Sequence, residues 1–375
     1  MKRAIYLTFL ICTIPHPGLS LSTSPSPSPS HHQAIHTLLL CRHGNSIWNG
    51  GSPGFQETFT GWTDVPLSPK GITEARNTAK ELALYSHGID ACFTSVLGRA
   101  RETAHHCCWA FGEKSYLMEP KQYVSDYRLN ERHYGALQGY VKSHVEEGRY
   151  GHDYHSVQAW RRSWYAVPPL LNEDDPRRIQ EIKQYANYCG GRENVPRGES
   201  LAMVANDRIR PFLDSVLHPI MSKAAETKQS HGQIISSSSG QDSEHVNNDK
   251  AKDGGCGLVV AHANSLRALI GVICQVENDE IALKRLEAMK IETGVPLVLK
   301  YRQLEDGNYE ACDVEEVTGL NHVGSPDLPV WPLSCIPKTY LTQSQQYQYE
   351  RTIEMEKKVH VGQRRSSKKI RIDVI

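Results

Sequence analysis

The sequence predicts a three-layer α/β fold, a mostly parallel sheet with helices on both faces. Short apolar runs of strand length alternate with stretches of helical periodicity. Two of those runs stop abruptly at a histidine, Leu40-Cys41-Arg42-His43 and Val259-Val260-Ala261-His262. Ligands in such folds bind beyond the carboxyl ends of the strands. If the two strands are neighbours, both imidazoles face one pocket.

The elements follow in order. His36 to Cys41 reads as a buried strand ending at Arg42-His43-Gly44. A Gly-rich loop, Asn49 to Gly61, comes next. Ser68-Pro69 supplies an N-cap and a first-turn proline, and Ile72, Ala75, Ala79 and Leu82 fall on one helical face. Ile89 to Thr94 reads as a second strand, with a helix after Arg99. From Leu129 to Arg197 the pattern is irregular. Ser200 to Leu217 returns to helical spacing, Leu258 to Ala261 is a strand, Ser265 to Val276 a helix, and Val295 to Tyr301 a final strand. The polar stretch 224–257 has little to bury and reads as a disordered surface insertion.

This places the domain at 35–320, between a leader and linker at 1–34 and a tail at 321–375. The leader begins Met1-Lys2-Arg3, and Ala4 to Ile14 is an apolar run closed by Pro15. That pattern suits a targeting signal and is short of the roughly 20 residues that span a membrane. Ser24 to Pro29 alternates Ser and Pro, an extended linker. The expectation is a secretory route or an organelle such as a plastid, with no membrane attachment of the mature form; without a working signal the location is cytoplasmic. The basic tail (Lys357-Lys358, Arg364-Arg365) reads as solvated chain.

The 42 Lys and Arg balance 42 Asp and Glu in 375 residues, so no global field recruits nucleic acid. No segment resembles a nucleic-acid module. Of ten cysteines, Cys12 lies in the leader, and the odd remainder shows no paired spacing. A disulfide scaffold is therefore not expected. The histidine pairs His31-His32, His105-His106 and His152/His155 lack further ligands at metal-site spacing, and no metal is expected.

Imidazole is nucleophilic at neutral pH and can carry a phosphoryl group. The transferred group needs forked cations and a proton donor for the leaving oxygen. Arg42 adjoins His43, Arg99 follows the second strand, and Glu131 lies in Leu129-Asn130-Glu131-Arg132-His133-Tyr134-Gly135. Each alone is weak, and Trp160-Arg161-Arg162 alone suits a helix surface as well. The ordered set is stronger.

That set resembles the 2,3-bisphosphoglycerate-dependent phosphoglycerate mutases of the histidine phosphatase superfamily. The likeness runs from about Thr37 to Tyr301. It rests on Arg42-His43-Gly44-Asn45-Ser46, Phe59-Thr60-Gly61-Trp62, Thr94-Ser95-Val96-Leu97-Gly98-Arg99-Ala100, the Asn130–Gly135 segment, Arg161-Arg162, Gly198-Glu199-Ser200, Ala261-His262-Ala263-Asn264-Ser265-Leu266-Arg267-Ala268 and Thr293-Gly294-Val295-Pro296. The resemblance implies a phosphoglycerate mutase-like fold and a phosphohistidine at His43. Glu131 is then acid and base, with His262, Arg42 and Arg99 stabilising the moving phosphoryl group. Asn45, Ser46, Asn49, Thr60, Gly61, Arg99, Arg132, Tyr134, Lys142, Arg161, Arg162, Ala263 and Asn264 are then substrate-binding.

It also implies 2,3-bisphosphoglycerate as primer, small phosphorylated three-carbon acids as substrates, and a homo-oligomer. Ala263 stands where the family usually has Gly, Asn45 where it has Glu, and the loop after Asn49 is longer than usual. A plain histidine phosphatase, or a catalytically silent binding protein of the same fold, shares part of the pattern.

Overall fold

The computed structural model describes residues 34–50, 54–82, 89–110, 123–238, 253–312 and 330–332. The leader, the Ser/Pro linker and nearly all of the tail lie outside the described residues. Strand β1 (Ile35–Arg42) opens the sheet and is followed by α1 (Pro69–Leu82), β2 (Ala91–Thr94), α2 (Gly98–Ala110) and β3 (Tyr123–Ser125). Helices α3 (Lys142–Glu146), α4 (Tyr154–Arg162) and α5 (Pro176–Cys189) occupy the stretch that the sequence left irregular.

The local signals for two of these helices were present. Asp153 and Asp175 accept backbone N–H bonds as N-caps, Pro176 follows Asp175 directly, and Gly190 closes α5 in the left-handed conformation. Arg178 and Glu181 on the buried face of α5 disguise its periodicity. Their charges are satisfied by the Val195 carbonyl and by His133 and Gln138.

Helical backbone then runs through 201–238. It comprises α6 (Leu201–Met203), a π turn (Val204–Ile209), α7 (Arg210–Phe212), a second π turn (Leu213–Leu217) and α8 (His218–Ser238). Strand β4 (Asp253–Ala261), α9 (Ala263–Ile273), α10 (Glu280–Ala288), β5 (Leu297–Gln303), β6 (Tyr309–Ala311) and β7 (Val330–Pro332) complete the order. The polar stretch 224–257 is thus structured at both ends, contrary to its reading as a disordered insertion: α8 carries through to Ser238 and β4 starts at Asp253. Helix propagation needs no apolar face once a packed turn has nucleated it, and Met221 and Ala225 anchor α8 to the core. Residues 239–252 lie outside the described part.

The sheet order is β3-β2-β4-β1-β5-β6, with β7 also on β5. Strands β3, β2, β4 and β1 are mutually parallel, and β5 to β7 add antiparallel pairings. Alternation along β1 divides the core. Leu38 and Leu40 face the layer of α6 to α10, with Phe212, Leu213, Leu266 and Leu269. Leu39 and Cys41 face α1 and α2, with Leu82, Ala104 and Cys107. Described cysteines are free thiols, most of them buried.

Candidate active site

Strands β1 and β4 are direct neighbours in register, with Arg42 opposite Ala261. The chain reversal after each strand therefore delivers the two histidines side by side. The His43 N–H donates to the Ala261 carbonyl at 3.0 Å, and the two ring centroids are 4.9 Å apart. Gly44 is needed at this turn. A Cβ there would sit 2.3 Å from the Gly71 carbonyl oxygen, so a side chain would push β1's exit away from α1.

The two rings are held by different partners. His43 Nδ1 lies 2.7 Å from the Gly44 carbonyl, an acceptor only, so Nδ1 carries the proton and Nε2 presents its lone pair to the cavity. Burial, reinforced by Arg99 and Arg42, holds the His43 imidazole well below its ordinary pKa, and the ring is neutral at pH 7. His262 is fully buried beneath it. Its Nε2 is 2.8 Å from Ser95 Oγ, which itself accepts the Leu97 N–H. Ser95 thus fixes the orientation of the His262 ring, whichever of the two groups donates. Burial, with Arg99, His43 and Arg42, also lowers the His262 pKa well below its ordinary value.

A cavity of about 140 Å³ opens over His43. It is small beside the roughly 300–1,000 Å³ of drug-sized sites, so it suits a small ligand. Of the residues named from sequence, Arg42, His43, Asn49, Thr60, Gly61, Arg99, Glu131, Tyr134, Lys142, Arg161, Arg162, Ala263 and Asn264 line it. Arg99 is buried, and its two terminal nitrogens donate to the carbonyls of Thr63 and Gly61 at 2.9 Å each. Gly61 has φ +51°, and a Cβ there would meet Gln138 Oε1 at 1.8 Å, so both backbone and space require glycine.

Glu131 is held at one oxygen. Its Oε1 accepts the Arg132 N–H at 2.8 Å and the Asn264 N–H at 3.2 Å, the latter from the first turn of α9. Asn264 Nδ2 donates to the Tyr134 hydroxyl at 2.9 Å.

Four proposed residues lie outside the lining. His262 stands behind His43. Asn45 receives the Ser68 hydroxyl and donates to the Gly50 carbonyl, while the Ser46 hydroxyl donates to Asn49 Oδ1. Arg132 turns away from the cavity and donates to the Trp160 and Arg161 carbonyls. Those three side chains shape the walls instead of facing the ligand space, because loop and helix carbonyls claim them first.

Glu57, Thr58, Arg267, Lys290 and Ile291 also line the cavity and were not singled out from sequence. Arg267 was findable, being one helical turn beyond Asn264. It donates to Asn264 Oδ1 at 2.8 Å and to the Met289 carbonyl, which fixes the Asn264 amide with its NH₂ toward Tyr134. Burial, with Arg162 nearby, lowers the Arg267 pKa to about 10, and it stays charged. Ile291 arrives through its carbonyl, which accepts from Arg42 at 2.9 Å. Ser95 lies in the Thr94–Ala100 motif, but its place behind His262 needs the fold.

A family model described as histidine phosphatase superfamily (branch 1) matches residues 38–181. A 2,3-bisphosphoglycerate-dependent phosphoglycerate mutase from Wigglesworthia glossinidia brevipalpis is 33% identical over 271 residues, covering 72% of this chain and 93% of its own. The chain belongs to the histidine phosphatase superfamily. A second relative, 2,3-bisphosphoglycerate-dependent phosphoglycerate mutase 2 of Lactiplantibacillus plantarum, is 35% identical over 264 residues, 70% of this chain and 93% of its own. The solved phosphoglycerate mutase of Bacillus anthracis aligns with TM-score 0.40 and 18% identity, covering 76% of this chain and 96% of that one.

Membership makes the chain a phosphotransfer or phosphatase enzyme, of a family that acts on small phosphorylated substrates. Among the described residues no helix is long and apolar enough to cross a membrane, and no group of three or more His, Cys, Asp or Glu is placed to hold a metal ion.

Proposed function

We propose that the protein interconverts 3-phosphoglycerate and 2-phosphoglycerate through a phosphohistidine at His43, primed by 2,3-bisphosphoglycerate. The observation that carries this reading is the second cluster of cations. Lys142, Arg161, Arg162 and Arg267 line the same small cavity as Arg42 and Arg99. Transfer to water needs one phosphate clamp. A ligand that must be held by a carboxylate or second phosphate while its hydroxyl is phosphorylated needs two. The names of the relatives support the same choice.

In the proposed sequence, His43 Nε2 attacks a phosphorus of 2,3-bisphosphoglycerate. The N–P bond forms, the P–O bond to carbon breaks, and the departing oxygen takes a proton from Glu131. A bound monophosphoglycerate hydroxyl then returns its proton to Glu131 and attacks the phosphohistidine, which regenerates the bisphosphate. Transfer of its other phosphate to His43 completes the exchange. Arg42 and Arg99, with His262 behind His43, stabilise the equatorial oxygens. The protein is expected to act as a homo-oligomer, as the family resemblance implies.

The test is to incubate the protein with 2,3-bisphosphoglycerate and map acid-labile phosphate by mass spectrometry. Label on the His43 peptide, discharged by 3-phosphoglycerate, supports the reading. Label discharged by water alone at the rate of turnover assigns the plain phosphatase.

A further inference from the structure

Two carboxylates touch the substrate-side cations, and they are not equivalent. Glu146 pairs with Arg161 and also accepts from Gln158 at 2.9 Å, but it is not part of the cavity wall. It braces Arg161 from behind. Glu57 is different: it lines the cavity itself, and its Oε1 lies 2.6 Å from Lys142 Nζ. A negative charge inside a pocket made for anions needs a reason.

The backbone holds Glu57 there. Thr58 bridges Val141 in antiparallel fashion, the Lys142 N–H donates to the Glu57 carbonyl at 2.8 Å, and the Phe59 N–H donates to the Tyr140 carbonyl at 2.9 Å. Glu57 and Lys142 are therefore neighbours across a short ribbon and cannot drift apart. Yet the Glu57 side chain is 52% exposed against 18% for Lys142. The carboxylate can swing to solvent while the ammonium stays in the wall. Burial works to raise the Glu57 pKa, but Lys142, with Arg161 and Arg42 beyond it, outweighs this and holds the carboxyl below its usual range. Glu57 is thus ionised whenever the enzyme works.

We infer that Glu57 is a specificity-determining residue, an internal counter-anion that pairs with Lys142 and must yield it to the incoming ligand. This rests on the reading of the pocket as a two-anion site. Its consequence is selective. A ligand with its full charge at the Lys142 end is held less tightly than the cations alone would hold it, and a bisphosphate suffers more than a monophosphate. In a reaction whose primer and intermediate are the bisphosphate and whose substrate is the monophosphate, such a charge keeps the primer from blocking the site. Glu57 itself lies in the long loop after Asn49, so that loop contributes to ligand charge preference.

The competing role is that Glu57 merely orients Lys142. The two roles predict opposite signs. Full-length protein, Glu57→Gln and Glu57→Asp would be titrated with 2,3-bisphosphoglycerate and, separately, with inorganic pyrophosphate, a polyanion with no carbon frame. Melting temperatures would confirm that each variant folds. The expected result is that Glu57→Gln binds both ligands about two- to fivefold more tightly at low salt, the size of a partly exposed charge contact. Near 1 M salt, where the screening length is about 3 Å, the gain should shrink. Glu57→Asp, which keeps the charge, should stay close to the native protein. Unchanged or weaker binding in Glu57→Gln overturns the inference in favour of orientation, and so does equal tightening in Glu57→Asp, or failure of either polyanion to bind the native protein. Tighter pyrophosphate binding in a protein that does not exchange phosphoglycerate would retain Glu57's role while rejecting the mutase reading.

Discussion

The two ends of the cavity are built differently. At the His43 end Arg99, His43 and His262 are buried and tied to the fold. Arg99 is pinned by two carbonyls, His43 by Gly44, and His262 by Ser95. At the other end Lys142 and Arg161 sit on short helices, partly exposed, and are met by carboxylates, Glu57 and Glu146. The rigid end supplies preorganised charge for a transition state, where reorganisation would be costly. The looser end sets which anion enters. Chemistry should therefore fail abruptly when the first end is changed, and preference should shift gradually when the second is.

The sharpest break should come from His43→Ala. Phosphoglycerate exchange should fall on the order of 10⁴-fold or more, since a nucleophile is lost outright, and no phosphoenzyme should form. Retained exchange in a coupled assay would sink the nucleophile assignment. Glu131→Gln should lower kcat by about 10²- to 10⁴-fold with little change in KM, the range for a lost general acid and base. A pure KM effect would make Glu131 a binding group instead.

Changes at the other end should be milder. Arg161→Ala/Arg162→Ala should raise the KM for 3-phosphoglycerate by roughly tenfold or more, as expected for lost charge-assisted hydrogen bonds. Hydrolysis of a small ester such as p-nitrophenyl phosphate should change less. Equal losses on both substrates would erase the difference between the two ends and favour the phosphatase.

The smallest effect concerns stability. His43 and His262 are held well below the ordinary histidine pKa, and His36 is lowered to about 3 by burial and by His218 and Lys228. Above pH 6.5 neither folded nor unfolded chain protonates them, and they add nothing. Below it the unfolded chain takes up protons that the folded chain refuses, so stability falls as pH falls. The slope is about 1.4 kcal/mol per pH unit for each such ring, continuing for His36 down to about pH 3. Urea midpoints between pH 7 and 5 measure this. His36→Asn, which keeps an acceptor for the Gly255 N–H, should reduce the slope by one ring's share; an unchanged slope would contradict the burial argument for that site.

Much of the rigid end was legible in the sequence, and less of the other. Strand ends are local signals, and two strands ending in histidine needed only adjacency, which the β1–β4 register supplies. Asn45, Ser46 and Arg132 were drawn into the ligand set by motif. Their side chains serve nearby carbonyls and hydroxyls, a choice made by loop geometry that motif spacing does not encode. Glu57 and Lys290 were invisible for a related reason. Each sits in irregular chain carried to the cavity by a distant partner, Thr58 by Val141 and the segment after Lys290 by the bridge from Arg42 to Thr293. Helix α5 was hidden by the charged residues on its buried face. The π turns within 201–238 left no mark in the apolar spacing, because one extra residue per turn shifts the stripe without ending it.

The most direct measurement is the fate of 3-phosphoglycerate in the presence of a metal chelator, with and without 2,3-bisphosphoglycerate. The account predicts 2-phosphoglycerate as the main product, formed at a rate that the bisphosphate stimulates and the chelator leaves unchanged. Inorganic phosphate as the main product, or exchange that the bisphosphate does not stimulate, would contradict it.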